Sequence, residues 1–197
     1  MVQKLSDSIS SYICHELKYS DEKRGILSYG LQVFLGEFLK FITIFVFAYI
    51  LNIFKSTTIV VVTFILFRRK IGGSHCDTFN KCFVYSTFLM LLLGFFSKVI
   101  VIPQQLLLSL IITLYLMGIL ITIKWVPMGT EKKSIKNPEL RKKIKKKTIL
   151  LLTTWFIVIL FVQKSGYDEA ATSSLGGIML AFFLATPLGK KVTSFEI

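Results

Sequence analysis

At 197 residues with 53% hydrophobic content and 18 phenylalanines, and with a mean hydropathy of +0.67, the chain carries more apolar side chain than a soluble core can bury, which excludes an ordinary water-soluble domain. Its formal charge of +13 sits in clusters between apolar runs and not on a face interleaved with aromatics, which excludes nucleic acid as a partner and favours anionic lipid or an acidic peptide. No linker divides the chain and three cysteines set up no disulfide framework, so residues 1–197 are expected to fold as one membrane-embedded domain with reduced thiols.

Residues 3–20 place Leu5, Ile9, Tyr12, Ile13, Glu16 and Leu17 on one side at helical spacing, with Lys4, Ser8 and Ser11 between them. Two readings stay open for the stretch 1–24: an amphipathic helix lying in the cytoplasmic interface, or a helix packed on the ends of the bundle. No apolar core precedes a small-residue cleavage site, so a removable signal peptide is not expected. Apolar runs follow at 31–54, 56–67, 82–96, 105–123, 148–162 and 170–188. Crossing the hydrocarbon layer takes about 20 helical residues, which suits the first, fourth and sixth runs and leaves the others short. The 56–67 run reaches only about 18 Å at the helical rise, so a short, tilted or re-entrant segment is expected there. Glu37 and Lys40 stand three apart, placed to pair on one helical face. Pro103 and Pro187 are expected at helix boundaries.

Positive charge arbitrates the number of crossings, because cytoplasmic connections collect Lys and Arg. With six crossings and the N-terminus inside, the inner segments hold 20 basic residues and the outer connections only Lys55, Lys98 and Lys164. The expected fold is an all-α integral membrane protein: a six-span helical bundle with an N-terminal amphipathic helix and one short or re-entrant segment before a glycine turn. Both termini and that turn are expected on the cytoplasmic side.

Reactive groups concentrate where the second run ends, in FRRKIGGSHCDTFNKCFVYS. Nucleophilic cysteine catalysis needs a thiolate, a base that titrates near neutrality and positive charge that favours the thiolate. Cys82, His75 and the run Arg68, Arg69, Lys70 supply all three. On an unbroken helix His75 and Cys82 stand about 10.5 Å apart along the axis, against a hydrogen-bond reach of about 3 Å, so a working dyad requires the chain to fold back between them. Gly72 and Gly73 permit such a turn, and Asp77 or Thr78 suits the N-cap of a helix that carries Cys82 inward. Backbone N–H groups near the two glycines are candidate oxyanion donors. The plain alternatives are a small apolar Cys82 within a span and an interfacial His75; Cys76 is a rival nucleophile. Two thiols and one imidazole make an incomplete metal set, so no metal or other cofactor is expected.

This stretch resembles the accessory gene regulator B family of membrane peptidases. The likeness covers Arg68, Arg69, Gly73, His75, the seven-residue step to Cys82, and Ser86, and continues in order through Trp125, Pro127, Thr130, Lys132 and Lys133. It implies a cysteine endopeptidase of the bacterial cell membrane that serves quorum sensing, with Cys82 as nucleophile and His75 as general base and acid. The implied substrate is a short precursor peptide. Its C-terminal segment is cut off through a thioester acyl-enzyme, and the remainder closes into a thiolactone. Arg68, Gly73 and Ser86 carry over as supporting residues, and Cys76 is a thiol that the family pattern lacks. The alternative is a small membrane transporter or exporter of a peptide; sparse charge within the spans argues against a proton-coupled form of it.

The segment 124–147 holds ten Lys and Arg against Glu131 and Glu139. Such a cluster fits anionic headgroups and, through Lys132 and Lys133, an acidic precursor tail. In the last run Ser173, Gly177, Ala181 and Ala185 draw a stripe of small side chains, which lets membrane helices approach closely. The stripe is expected to face either a neighbouring span or a second copy, and a homodimer is among the expected assemblies.

Overall fold

The computed structural model describes residues 2–73, 78–128 and 137–193. Eight helices follow one another among them: α1 (Val2–Glu16), α2 (Asp21–Ile50), α3 (Phe54–Ile71), α4 (Phe79–Val99), α5 (Gln104–Trp125), α6 (Pro138–Lys164), α7 (Asp168–Phe183) and α8 (Pro187–Thr193). Extended pairing among the described residues is limited to one parallel bridge between Gly72 and Met128. The chain divides into two compact units, Met1–Val46 and Phe47–Ile197.

In the first unit, α1 buries Ser6, Ser10 and Cys14, a line of small residues at four-residue spacing. Leu5 and Tyr12, from the expected apolar stripe, are exposed. Small side chains allow close approach, while the bulky apolar ones are left outward. Ser28 donates to the Asp7 carboxylate, tying α2 to α1. The expected pair on α2 is formed: Lys40 is buried, with its Nζ 2.7 Å from Glu37 Oε1.

In the second unit α3 is the interior helix. It packs most extensively on α7, then on α4 and α6, and buries Val60, Val61, Phe67 and Ile71. Close approach depends on missing side chains: a Cβ on Gly177 of α7 would stand 3.0 Å from Thr63 Cβ and crowd the Val60 carbonyl, and one on Gly94 of α4 would run into Thr57. Hydroxyls pair across the contact that results. Trp155 of α6 donates from Nε1 to Ser174 Oγ at 2.8 Å, Thr63 Oγ1 lies 3.1 Å from the same atom, and Ser56 donates to the Glu169 carboxylate. Phe67 packs edge-on to Trp155 at 6.3 Å and against Phe182 at 5.8 Å. An interhelical hydrogen bond in a membrane is worth about 0.6 kcal/mol on average and an aromatic pair about 1 kcal/mol beyond its burial, so the hydroxyls set register while packing supplies most of the adhesion.

Among the described residues four helices, α2, α4, α5 and α6, are long and apolar enough to cross a membrane, which accounts for four of the six spans expected. Other expectations are corrected. The run 170–188 is not one helix: α7 has 16 residues, reaching about 24 Å, and the chain turns before Pro187 opens α8. Proline has no N–H to give and fits a first helical turn. The runs 82–96 and 148–162, expected to be short, lie inside helices of 21 and 27 residues. The reason is charge within the helices: Lys81 bounds the apolar run of α4 and Lys147 that of α6, so each run covers only part of its helix, and α3 likewise carries Lys55 and Arg68, Arg69 and Lys70 at its ends. The segment 124–147 is also less of a loop than expected. Asn137 Oδ1 accepts from Glu139 N at 2.9 Å, capping α6, so residues 138–147 stand as nearly three turns of mostly exposed, basic helix.

The small-residue stripe is used within the chain. Ser173, Gly177, Ala181 and Ala185 are all buried, and Gly177 meets α3, so a homodimer must use another surface. Gly177→Leu is expected to destabilise the folded protein by roughly 3 kcal/mol in denaturant titration of the detergent-solubilised chain. Gly176→Ala, whose Cβ would meet Leu93 at an ordinary 3.5 Å, should change little. Equal stability of the two variants would contradict this packing.

Candidate active site at the end of α3

The candidate site is built where α3 stops. Gly72 closes the helix at φ 76 and ψ −152, its N–H bonded to the Arg68 carbonyl at 3.1 Å. Gly73 follows at φ 132. Both values lie where a Cβ clashes with its own backbone, and glycine is the residue that tolerates them. Space reinforces conformation. A Cβ on Gly72 would overlap the Met128 carbonyl, and one on Gly73 would overlap the Arg68 guanidinium and stand 2.8 Å from Leu184 O. The ends of α3 and α7 and the segment after α5 therefore meet at two residues without side chains.

The segment after α5 is held by Met128 N donating to Ile71 O at 3.0 Å. Val126 is fully buried beside it. Arg68, in the last turn of α3, turns back on the same corner: its Nη1 donates to Gly72 O at 2.9 Å. Carbonyl oxygens at a helix C-terminus carry partial negative charge and favour a cation. Arg68 is half-buried, and Cys82 is an ionisable group within charge reach of it.

Cys82 is the fourth residue of α4, half-buried, with its N–H bonded to Thr78 O at 3.1 Å. Thr78 is the N-cap: its backbone is extended and its hydroxyl accepts from Lys81 N at 3.4 Å. The cap and the one-turn depth of Cys82 agree with expectation. A first-turn position also puts the sulfur near the positive end of the helix dipole.

Arg68 and Gly73 are thus brought together, with Cys82 within charge reach of Arg68. Ser86 is one turn beyond Cys82, and its hydroxyl donates to main-chain carbonyls, Cys82 O at 2.6 Å and Phe83 O at 3.3 Å; its visible work is local to α4. The Gly72 N–H is committed to Arg68 O, which removes it from the candidate oxyanion donors. His75, Cys76, Asp77, Lys132 and Lys133 lie outside the described residues, as does any complete set of dyad distances. No group of three or more His, Cys, Asp or Glu that could hold a metal occurs among the described residues.

Two neighbours of the site were not singled out by sequence reasoning. Met128 had an indirect signal, since Pro127 ends α5 and biases the residue before it to extended backbone. Leu184 had none, because its contribution is a main-chain carbonyl.

Residues 6–185 match the family model of Accessory gene regulator B. The chain belongs to the accessory gene regulator B family. Similar proteins include a Putative AgrB-like protein of Clostridium perfringens (strain SM101 / Type A), 27% identical over 188 residues that cover 93% of this chain and 87% of that one. Accessory gene regulator protein B of Staphylococcus aureus (strain MRSA252) is 33% identical over 135 residues, 68% of this chain and 70% of its own. No solved structure matches. Within this accessory gene regulator B chain, the glycine corner gives a direct test. Gly73→Ala is expected to cost about 1–3 kcal/mol, read as a lowered thermal midpoint in detergent. Gly25→Ala, in a helix with nothing within 4 Å of the new Cβ, is expected to be neutral or to stabilise by up to about 1 kcal/mol. Equal midpoints for Gly73→Ala and the parent would remove the steric reading of the corner.

Proposed function

We propose that this chain is a membrane-embedded cysteine endopeptidase of quorum sensing, which cuts the C-terminal segment from a short precursor peptide and promotes closure of the remainder into a thiolactone. The observation that carries the reading is the Arg68 guanidinium, within charge reach of Cys82 in the first turn of α4, beside the glycine corner that leads into the segment bearing His75. Family membership supports it. Cys82 is the nucleophile and His75 the general base and acid.

The Cys82 thiolate adds to the scissile carbonyl, forming a C–S bond as the carbonyl electrons move to oxygen. His75 delivers a proton to the amide nitrogen, the C–N bond breaks, and the C-terminal fragment leaves as a free amine. The N-terminal part stays as a thioester on Cys82. A cysteine thiol inside the bound precursor then attacks that thioester, losing its proton to His75, and Cys82 leaves as thiolate. One thioester replaces another, so the exchange is close to thermoneutral, and holding both groups in one site makes it effectively unimolecular. Water would instead release a linear acid; limited water access favours ring closure.

Lys132 and Lys133, with the basic start of α6, hold an acidic tail of the precursor and contact anionic headgroups. The chain crosses the membrane six times, with α3 and α7 as short interior crossings and α1 in the cytoplasmic interface, its exposed Leu5 and Tyr12 toward lipid.

Cys82→Ser and His75→Ala should each lower cleavage of a co-expressed precursor by at least about a hundredfold, with membrane insertion kept, while Cys76→Ser keeps most activity; mass spectrometry of the precursor is the readout. Full activity in Cys82→Ser with loss in Cys76→Ser would falsify the assignment. For orientation, single cysteines at positions 55, 98 and 164 should react with an impermeant thiol reagent added outside sealed cells, and one at position 142 should not. Outside labelling at 142 would overturn the cytoplasmic placement. Neutralising Lys132 and Lys133 should raise KM more than it lowers kcat, and added salt should do the same to the parent protein; an unchanged KM in both experiments would leave the loop without a role in substrate binding.

A further inference from the structure

The corner that presents Cys82 is seated on a part of the chain far from it in sequence. α7 finishes at Phe183, and the next residue, Leu184, directs its main-chain carbonyl at Gly73, within 2.8 Å of where a Cβ would stand. The same Gly73 position touches the Arg68 guanidinium. The guanidinium therefore occupies a slot bounded by Gly72 O, which accepts from it, by Gly73, and by the carbonyl end of α7. Such an end carries partial negative charge and favours a cation.

The slot wall is itself braced. Thr186 Oγ1 donates to Phe183 O at 2.7 Å and accepts from Gly189 N at 3.3 Å, while Ala185 N donates to Phe182 O at 3.0 Å. Gly189 is buried. A Cβ there would stand 2.6 Å from Leu184 Cα and overlap the Phe183 carbonyl. α8 is thus folded back onto the two residues that present Leu184 O, and the fold-back works only with glycine at 189.

We propose that the elbow between α7 and α8, formed by Leu184, Thr186 and Gly189, is a positioning element for the reaction: it seats Arg68 and Gly73, and through them it acts on the Cys82 sulfur. None of its residues touches substrate. The elbow acts on the chemical step, because its effect passes through the orientation of Arg68 and not through contacts to the precursor. This rests on the peptidase reading for its activity readout, but its geometry can be tested apart from it.

The experiment measures two quantities on the full chain in lipid vesicles: precursor cleavage, and the rate of Cys82 alkylation by iodoacetamide with Cys14 and Cys76 replaced by serine. Gly189→Ala should lower kcat about tenfold with KM held within about twofold, and should slow alkylation of Cys82. Thr186→Val should do the same to a smaller extent, and Thr186→Ser, which keeps the hydroxyl, should restore both. Leu188→Ser, on the exposed side of α8, should leave both at the parental level. Should Gly189→Ala not fold, the Thr186 pair carries the test. Parental cleavage and alkylation in Thr186→Val and in folded Gly189→Ala would overturn the proposal, as would equal losses in Thr186→Val and Thr186→Ser. A Cys82→Ser chain that still cleaves, alongside slowed alkylation in Gly189→Ala, would sink the peptidase reading and keep the elbow.

Discussion

A positive charge drawn partly out of water at the end of an interior helix is the constraint around which this structure is arranged. Drawing an ion out of water costs free energy, and the surroundings of Arg68 are those that offset such a cost. Its Nη1 bonds to Gly72 O, its helix ends beside it, the Leu184 carbonyl after α7 faces the same corner, and Cys82 stands within charge reach. Each of these partners needs the backbone to come close, and close backbone is what Gly72 and Gly73 provide. The positive φ values are the consequence of bringing three chain segments to one cation.

The position of α3 follows from the same logic at larger scale. α3, which ends on this half-buried arginine, is surrounded by α4, α6 and α7. Surrounding it requires neighbours without bulk, hence Gly94 and Gly177, and hydroxyls whose partners are across the interface, hence Ser174 between Trp155 and Thr63. In lipid the hydrophobic effect gives helices little reason to associate, so packing and these few polar contacts supply the reason. The same packing holds α4 against α3, and Cys82 sits in the first turn of α4.

Function in this arrangement depends on positioning more than on the number of reactive groups. Cys82 takes its setting from the Thr78 cap and from Arg68; Arg68 takes its own from a glycine corner; and the corner rests on the chain after α5 and the chain after α7. Met128 bridging to Gly72 has a further consequence, since it joins the corner to the beginning of the basic segment. Ser86, by contrast, has its hydroxyl occupied by carbonyls of its own helix, which makes it a local feature of α4.

Much of this was readable from residue order alone, wherever the physics is local. Helical class, the helix at the start of the chain, the Glu37 and Lys40 pair and the Thr78 cap all depend on residues within about four positions of each other, the reach of one helical turn. The density of reactive groups between Arg68 and Cys82, and with it the family, was also written there. The tertiary structure alone decided which apolar runs are interior. Hydropathy counts composition, and it ranked the run ending at 188 as comfortable and the run starting at 82 as short because it registers neither a turn within an apolar run nor a helix that continues past a charge. It alone decided that 170–188 breaks into two helices with an elbow, and that the elbow meets Gly73 across a hundred residues of sequence. Those contacts are made by main-chain carbonyls and by the absence of a Cβ, and neither carries a side-chain signature that residue order can display.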